Sequence, residues 1–267
     1  MREIKQPDKY SYVYSRYLEP IAKVKINETV VIYTADAFEN KITSENDLPS
    51  KVLGEYVNPQ TGPIYIEGAE AGDTLVVDII NIEPTRNYAV SALIQNFGGL
   101  VATNTTRLLH PPLAEKVWIY DIKDNWVTCN EHLSFPLRPF LGTIGTAPNL
   151  EAVSSLTPLN HGGNMDVPDV KAGNSIYLPV LVDGAYFYIG DCHAGQGDGE
   201  LCGGALEIPA KTTLQFRLIK NNIHFPWIQK IQDKTQYLSY IEKNISFYVI
   251  LLKMKNYGFI IKIKKRL

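Results

Sequence analysis

The chain has 267 residues, 45% of them hydrophobic and 20% charged, which is enough apolar mass to bury one large core or two small ones and excludes a disordered or fibrous chain. A formal net charge of −2, from 26 Lys and Arg against 28 Asp and Glu, gives no global attraction to nucleic acid or to an acidic membrane, so neither is expected as a partner. A small molecule or another protein is the expected partner, and because the N-terminal MREIKQPDKYSYVYSRY lacks the apolar run of a signal peptide and no apolar stretch has bilayer length, a cytoplasmic protein is expected. Cys129, Cys192 and Cys202 form no CxxC pair, which speaks against a disulfide framework and a zinc ribbon.

Taken along the chain, residues 1 to 220 read as mainly β, a β-rich body of one or two intertwined β subdomains. Apolar and β-branched runs of strand length alternate there with Gly, Pro, Asn and Asp, and no long amphipathic helix pattern interrupts them. The clearest strand is Thr74 to Ile82, entered through Ala71-Gly72-Asp73. A second, Ser175 to Val182, follows the similar turn Ala172-Gly173-Asn174, so the two units form an internal echo. In the run from Leu178 to Ile189, two apolar segments flank Asp183-Gly184, which predicts a β-hairpin. After a glycine-rich stretch, LEIPAKTTLQFRLI again reads as β. Residues 221 to 267 change texture: eight Lys and one Arg stand against Asp233 and Glu242, and Gly258 is the single glycine. That segment is expected to be a divergent basic C-terminal tail.

The stretch that carries chemistry is 190 to 204, where Asp191, His193, Gln196, Asp198 and Glu200 are set among six glycines. Glycines let a backbone turn tightly and approach a ligand. Carboxylates and an imidazole at single-residue spacing can surround one divalent cation, or place a ligand beside a free carboxylate that acts as base; a solvated polar surface loop has the same composition. An EF-hand loop starting at Asp191 fails, because its twelfth position is Cys202. A phosphate cradle wants a following helix, and a β-like run follows instead. Upstream, Asn160 to Asp166 repeats the pattern with His161, Asn164 and Asp166 around a Gly pair. If the two loops meet at one end of a β-sandwich, a metal site becomes possible. Cys192 is an unpromising nucleophile, since neighbours on a strand point to opposite faces and it cannot pair with the adjacent His193. His110, His132 and His224 have no such company and read as structural.

The segment GDCHAGQGDGELCGGALEIPA closely resembles the signature segment of the acetamidase/formamidase family. Thr61 to Leu75 (TGPIYIEGAEAGDTL), Arg138 to Pro148 (RPFLGTIGTAP), His161 to Asp166 (HGGNMD) and, more loosely, Asp36 to Ile42 (DAFENKI) agree with it as well. The resemblance runs from about residue 30 to 220. Phe225-Pro226-Trp227 looks like the family's Phe-Pro-Arg segment with Trp227 in the place of Arg.

This resemblance implies a jelly-roll-like or β-sandwich body with a small barrel-like part, a smaller α/β C-terminal part and a homo-oligomer. It also implies metal-assisted hydrolysis of short linear amides, formamide or acetamide, to ammonia and a carboxylate. On that reading zinc is held by Asp166, Asp191 and His193. Glu200, with Asp198 as the second candidate, moves the proton from water to the leaving nitrogen, and Asn164, His161 and Gln196 contact the substrate. Asp36 and Glu39 are further candidates for the pocket lining. The competing expectation is a non-catalytic β-sandwich that uses the same loops to grip a metal or a polar ligand.

Overall fold

The computed structural model describes residues 1–99, 113–130, 132–223, 225–230 and 236–237. His110, His224 and most of the basic tail lie outside them, as does the α/β C-terminal part implied by the resemblance. Among the described residues the regular structure is almost all strand. The N-terminal third contains β1 (Arg2–Ile4), β2 (Val13–Tyr14), β3 (Ala22–Val24), β4 (Thr29–Thr34), the one-turn helix α1 (Pro49–Val52) and β5 (Gln60–Ile66). The middle contains β6 (Thr74–Pro84), β7 (Tyr88–Leu93), β8 (Lys116–Lys123), β9 (Trp126–Asn130), β10 (Leu133–Pro136) and β11 (Phe140–Gly145). Then follow β12 (Val153–Ser154), β13 (Gly162–Asn164), β14 (Asn174–Pro179), β15 (Phe187–His193), β16 (Glu207–Ile208), β17 (Ala210–Ile219), β18 (Trp227–Lys230) and β19 (Gln236–Tyr237).

Two sheets pack face to face. The seven-stranded sheet runs β1-β4-β17-β6-β14-β18-β19, and the ten-stranded sheet runs β10-β9-β8-β7-β16-β15-β11-β13 with β5 and β3 joined to it through β15. Alternation sets their inner faces: in β17, Ala210, Thr212, Leu214 and Phe216 are buried while Lys211, Thr213 and Gln215 are partly exposed. The main core joins Ile32, Val77, Leu214 and Phe216 of the first sheet to Ile64, Leu141, Phe187 and Ile189 of the second. Phe187 meets Phe216 edge to face at 5.1 Å across the layers.

The two echoing units are neighbours. β6 and β14 pair antiparallel, Ile176 opposite Val77. Gly72 N–H donates to the Val180 carbonyl and Gly173 N–H to that of Ile79, so each turn closes one end of the paired segment. Both glycines have positive φ, 101° and 86°.

The predicted hairpin at Asp183-Gly184 is not formed. β14 belongs to the seven-stranded sheet and β15 to the ten-stranded one, so the turn carries the chain between layers. Gly184, Ala185 and Tyr186 all have left-handed φ (82°, 56° and 48°), and Asp183 Oδ1 accepts from Ala71 N–H at 2.9 Å. Asp-Gly specifies a sharp turn; which strands pair on either side is decided by the sheets that bury them. At the start of the tail, β18 adds to β14, and Trp227 stacks on Tyr177 with ring centroids 3.6 Å apart.

Candidate functional site

β11 is the axis of the site. It pairs with β13 along one edge, Thr143 opposite Asn164, and with β15 along the other, Leu141 opposite Cys192 and Thr143 opposite Gly190. Asp191 and His193 therefore share one face of β15, while Cys192 turns into the core 3.6 Å from the Thr34 hydroxyl, where burial pushes its thiol up to about 12. Between these strands Gly142 leaves a gap. A Cβ there would lie 2.8 Å from Asp166 Oδ1 and Asp191 Oδ2 and 2.9 Å from His193 Cε1. Asp166 and Asp191 adopt left-handed φ of 49° and 53°, a conformation that aspartate tolerates better than most residues.

Hydrogen bonds fix the imidazole. Gln196 Nε2 donates to the Asp166 carbonyl at 3.1 Å, and that carbonyl can only accept, so Gln196 Oε1 is the atom facing His193 Nδ1 at 2.9 Å. His193 Nδ1 must then carry a proton, which in the neutral ring leaves Nε2 as a bare lone pair. Nε2 lies 3.3 Å from Asp191 Oδ1 and 3.5 Å from Glu207 Oε2 and makes no hydrogen bond; Asp166 Oδ1 is likewise buried without one. A second line of polar groups backs the carboxylates. Gln60 Nε2 donates to Asn58 Oδ1 at 2.7 Å and Asn58 Nδ2 to Asn164 Oδ1 at 2.9 Å. Asn164 Nδ2 donates to Asp166 Oδ2 at 3.0 Å, and the Thr143 hydroxyl to Asp191 Oδ2 at 3.0 Å.

The acids outnumber the base, and the environment shows it. Burial, then Glu200 and Asp191, hold Asp166 well above the ordinary carboxylate range. Burial pushes Glu200 up to about 7, with Glu207 and Asp191 adding to it. Glu207 is raised by burial and by Asp191, against His193. Burial alone would lower His193, but Glu207 and Asp191 outweigh it and hold the ring well above its usual value. Asp191 alone is held below the ordinary range, because His193 and Thr143 offset its burial. So much negative charge around one space calls for a positive charge inside it. Two overlapping triads offer donor atoms within 4.8 Å of one another, Asp166–Asp191–His193 and His193–Glu200–Glu207. These residues can hold a metal ion. A cavity of about 30 Å³, lined by Phe38, Asn58, Asn164, Asp191, Glu200 and Glu207 among others, opens beside them.

Comparison with known proteins decides the family. The acetamidase/formamidase family model matches residues 4–157 and 149–247. The chain belongs to the acetamidase/formamidase family. A crystal structure of an acetamidase from Yersinia enterocolitica superposes with a TM-score of 0.82 at 40% identity, covering 86% of this chain and 71% of that one. Among curated relatives, a formamidase of Methylophilus methylotrophus is 26% identical over 229 residues (67% of this chain and 56% of the relative). An acetamidase of Mycolicibacterium smegmatis is 28% identical over 219 residues (61% and 54%). The chain thus spans about half the length of the curated relatives it matches.

Of the residues singled out in the sequence, Asp166, Asp191, His193, Glu200, Asn164 and Gln196 come together around this space. Two do not. Asp198 is exposed and lines a separate cavity of about 990 Å³ with Gln196, Arg138 and Lys171, so its carboxylate is not brought to the cluster. His161 is fully buried, its ring edge-on to Tyr14 at 4.6 Å, and burial lowers it to about 4. Asp36 is buried beneath the chamber and paired with Arg86, while Glu39 pairs with Lys41. Residue reading missed Glu207 and Gly142. Glu207 sits in LEIPA, which reads as plain strand, although a charged residue inside an apolar run was a usable signal; Gly142 acts by having no side chain.

Proposed function

We propose that this chain hydrolyses short linear amides, formamide and acetamide, to ammonia and the corresponding carboxylate with the help of a divalent metal ion. The observation that carries the reading is the convergence of Asp166 Oδ1, Asp191 Oδ2 and His193 on the space that Gly142 leaves open, with two of the donor atoms buried and unpartnered. Family membership and the acetamidase-like fold support the same chemistry. Asp166, Asp191 and His193 Nε2 would hold the ion, and three N/O ligands suit zinc with a position left for exchange. When bound, the ion supplies positive charge that polarises an amide carbonyl and acidifies water.

The protein's own groups do the rest. Glu200, with its carboxyl raised to about 7, is balanced between base and acid near neutral pH. It takes a proton from the water that attacks the amide carbon and returns it to the nitrogen as the carbon–nitrogen bond breaks, so ammonia leaves and the carboxylic acid left behind ionises to the carboxylate. Asn164, held by Asn58 and tied to Asp166, orients the substrate amide from one side. Gln196 keeps the His193 tautomer and carries the link to Asp166. A cavity of about 30 Å³ matches a substrate of very few heavy atoms. The protein acts as a cytoplasmic homo-oligomer. The test is ammonia release from formamide and acetamide by purified protein, with Glu200→Gln as the control; turnover undiminished in Glu200→Gln removes Glu200 from the role.

A further inference from the structure

Beneath the chamber, outside the set of groups just assigned, lies a buried ion pair with connections on two sides. Arg86 Nη1 is 2.7 Å from Asp36 Oδ2, with the Asp36 side chain fully buried and that of Arg86 13% exposed. On the Asp36 side, Oδ1 accepts from the N–H groups of Phe38 at 2.9 Å and Asn40 at 2.7 Å, closing the turn that presents the Phe38 ring to the chamber. The same turn accepts from Asn58 N–H through the Ala37 carbonyl at 2.8 Å. On the Arg86 side, Nε donates to the Tyr88 carbonyl at 2.9 Å and Nη2 to the Glu207 carbonyl at 3.1 Å, and the guanidinium lies 4.3 Å from the centre of the Tyr88 ring. The two arms meet again at the site: a Cβ on Gly204 would stand 3.9 Å from both Phe38 Cζ and Glu207 Oε1.

A buried ion pair is a poor device for stability alone, because desolvating both charges offsets most of their attraction. Burial does raise the Asp36 carboxyl, and Arg86 only partly offsets that rise. What the pair supplies is geometry. A planar guanidinium with fixed donor directions bonds two carbonyls of different strands while its charge rests against the Asp36 carboxylate, which a lysine ammonium cannot reproduce. We propose that Arg86, anchored by Asp36, is a positioning residue for the hydrolysis: it sets Glu207, and through it His193, against the wall made by Phe38 and Asn58. The proposal rests on the function proposed above.

The test compares wild type with Arg86→Lys and with the double variant Asp36→Asn/Arg86→Gln, which leaves no buried charge unpaired and guards against a variant that fails to fold. In both, residue 36 still accepts from the Phe38 and Asn40 amides, so the wall is kept while the grip on Glu207 is lost. Per folded, metal-loaded molecule, kcat for formamide should fall ~10–100-fold with KM changed less than ~3-fold, and zinc affinity measured by competition with a chromogenic chelator should weaken ~10-fold. A merely structural role would lower the yield of folded protein without moving kcat per loaded site. Wild-type kcat and zinc affinity in a folded variant would overturn the proposal. If wild type itself releases no ammonia, the amidase reading fails, and zinc affinity alone decides: weakened in the variants, Arg86 positions the site; unchanged, it does not.

Discussion

The two large sheets hold their inward or half-buried carboxylates by opposite rules. On the seven-stranded sheet, Asp78 receives Arg217 Nη2 at 2.7 Å and the Ser175 hydroxyl, in a partly exposed setting where every charge has its partner. There the pairing with Arg217 and Ser175 outweighs burial and brings Asp78 below the ordinary carboxylate range. On the ten-stranded sheet, Asp166, Asp191, Glu200 and Glu207 crowd around His193, and buried atoms of Asp166, His193 and Glu207 make no hydrogen bond. The first arrangement is what a stable fold selects. The second costs stability, and strained or under-paired charge of that kind is what a chemical site retains.

The sharpest way to break the contrast is to fill the gap at Gly142. Gly142→Ala places a methyl 2.8 Å from two carboxylate oxygens, and it should weaken zinc binding by ~100-fold and ammonia release by at least ~1,000-fold. Far-ultraviolet circular dichroism should keep its β signature, and full zinc binding by the variant would refute the assigned ligands. Glu200→Gln should be next in size, lowering kcat by ~10²–10⁴-fold while the zinc content measured by atomic emission stays that of wild type.

Glu200 and Asp78 should also respond to pH with opposite signs. Glu200 rises from 4.5 to about 7 on folding, so between those values the folded state binds more protons than the unfolded one. Stability of the metal-free protein should therefore fall as pH rises from 4.5 to 7, by up to about 3 kcal/mol from this group, and zinc should remove the slope. Asp78 works the other way. Its contribution is present above the unfolded value of 3.8 and is lost as pH falls through the lower folded one. Urea unfolding at a series of pH values, with Glu200→Gln as the variant that makes the neutral limb shallower, separates them. The smallest effect is expected from Arg217→Ala, about 1 kcal/mol of stability with ammonia release unchanged, because its pair with Asp78 is partly solvated.

These residues also mark what could be read without a structure. Strands such as β6, β14 and β17 were legible because alternation and turn residues report burial directly. The Asp183-Gly184 crossover was misread as a hairpin because local turn chemistry does not encode which sheet receives the next strand. At the site, Asp191 and His193 stand out by composition, which a solvated loop would share; the structure buries both and sets them 3.3 Å apart. Asp198 shares that composition and faces another cavity, because a glycine-rich loop follows no fixed alternation from which side-chain direction could be inferred. His161 stood in an equally suggestive motif and is packed against Tyr14. Glu207 and Gly142 enter only through long-range pairing, β16 beside β15 and β11 between β13 and β15.

The most direct test of the account is ammonia release from formamide and acetamide measured on one purified sample as isolated, after chelation, and after zinc is returned, with bound metal counted at each stage. The account predicts release that is lost with the metal and restored with it in proportion to occupancy of a single site per chain. Release that persists in metal-free, folded protein, or none at all from folded protein with its site filled, would contradict it.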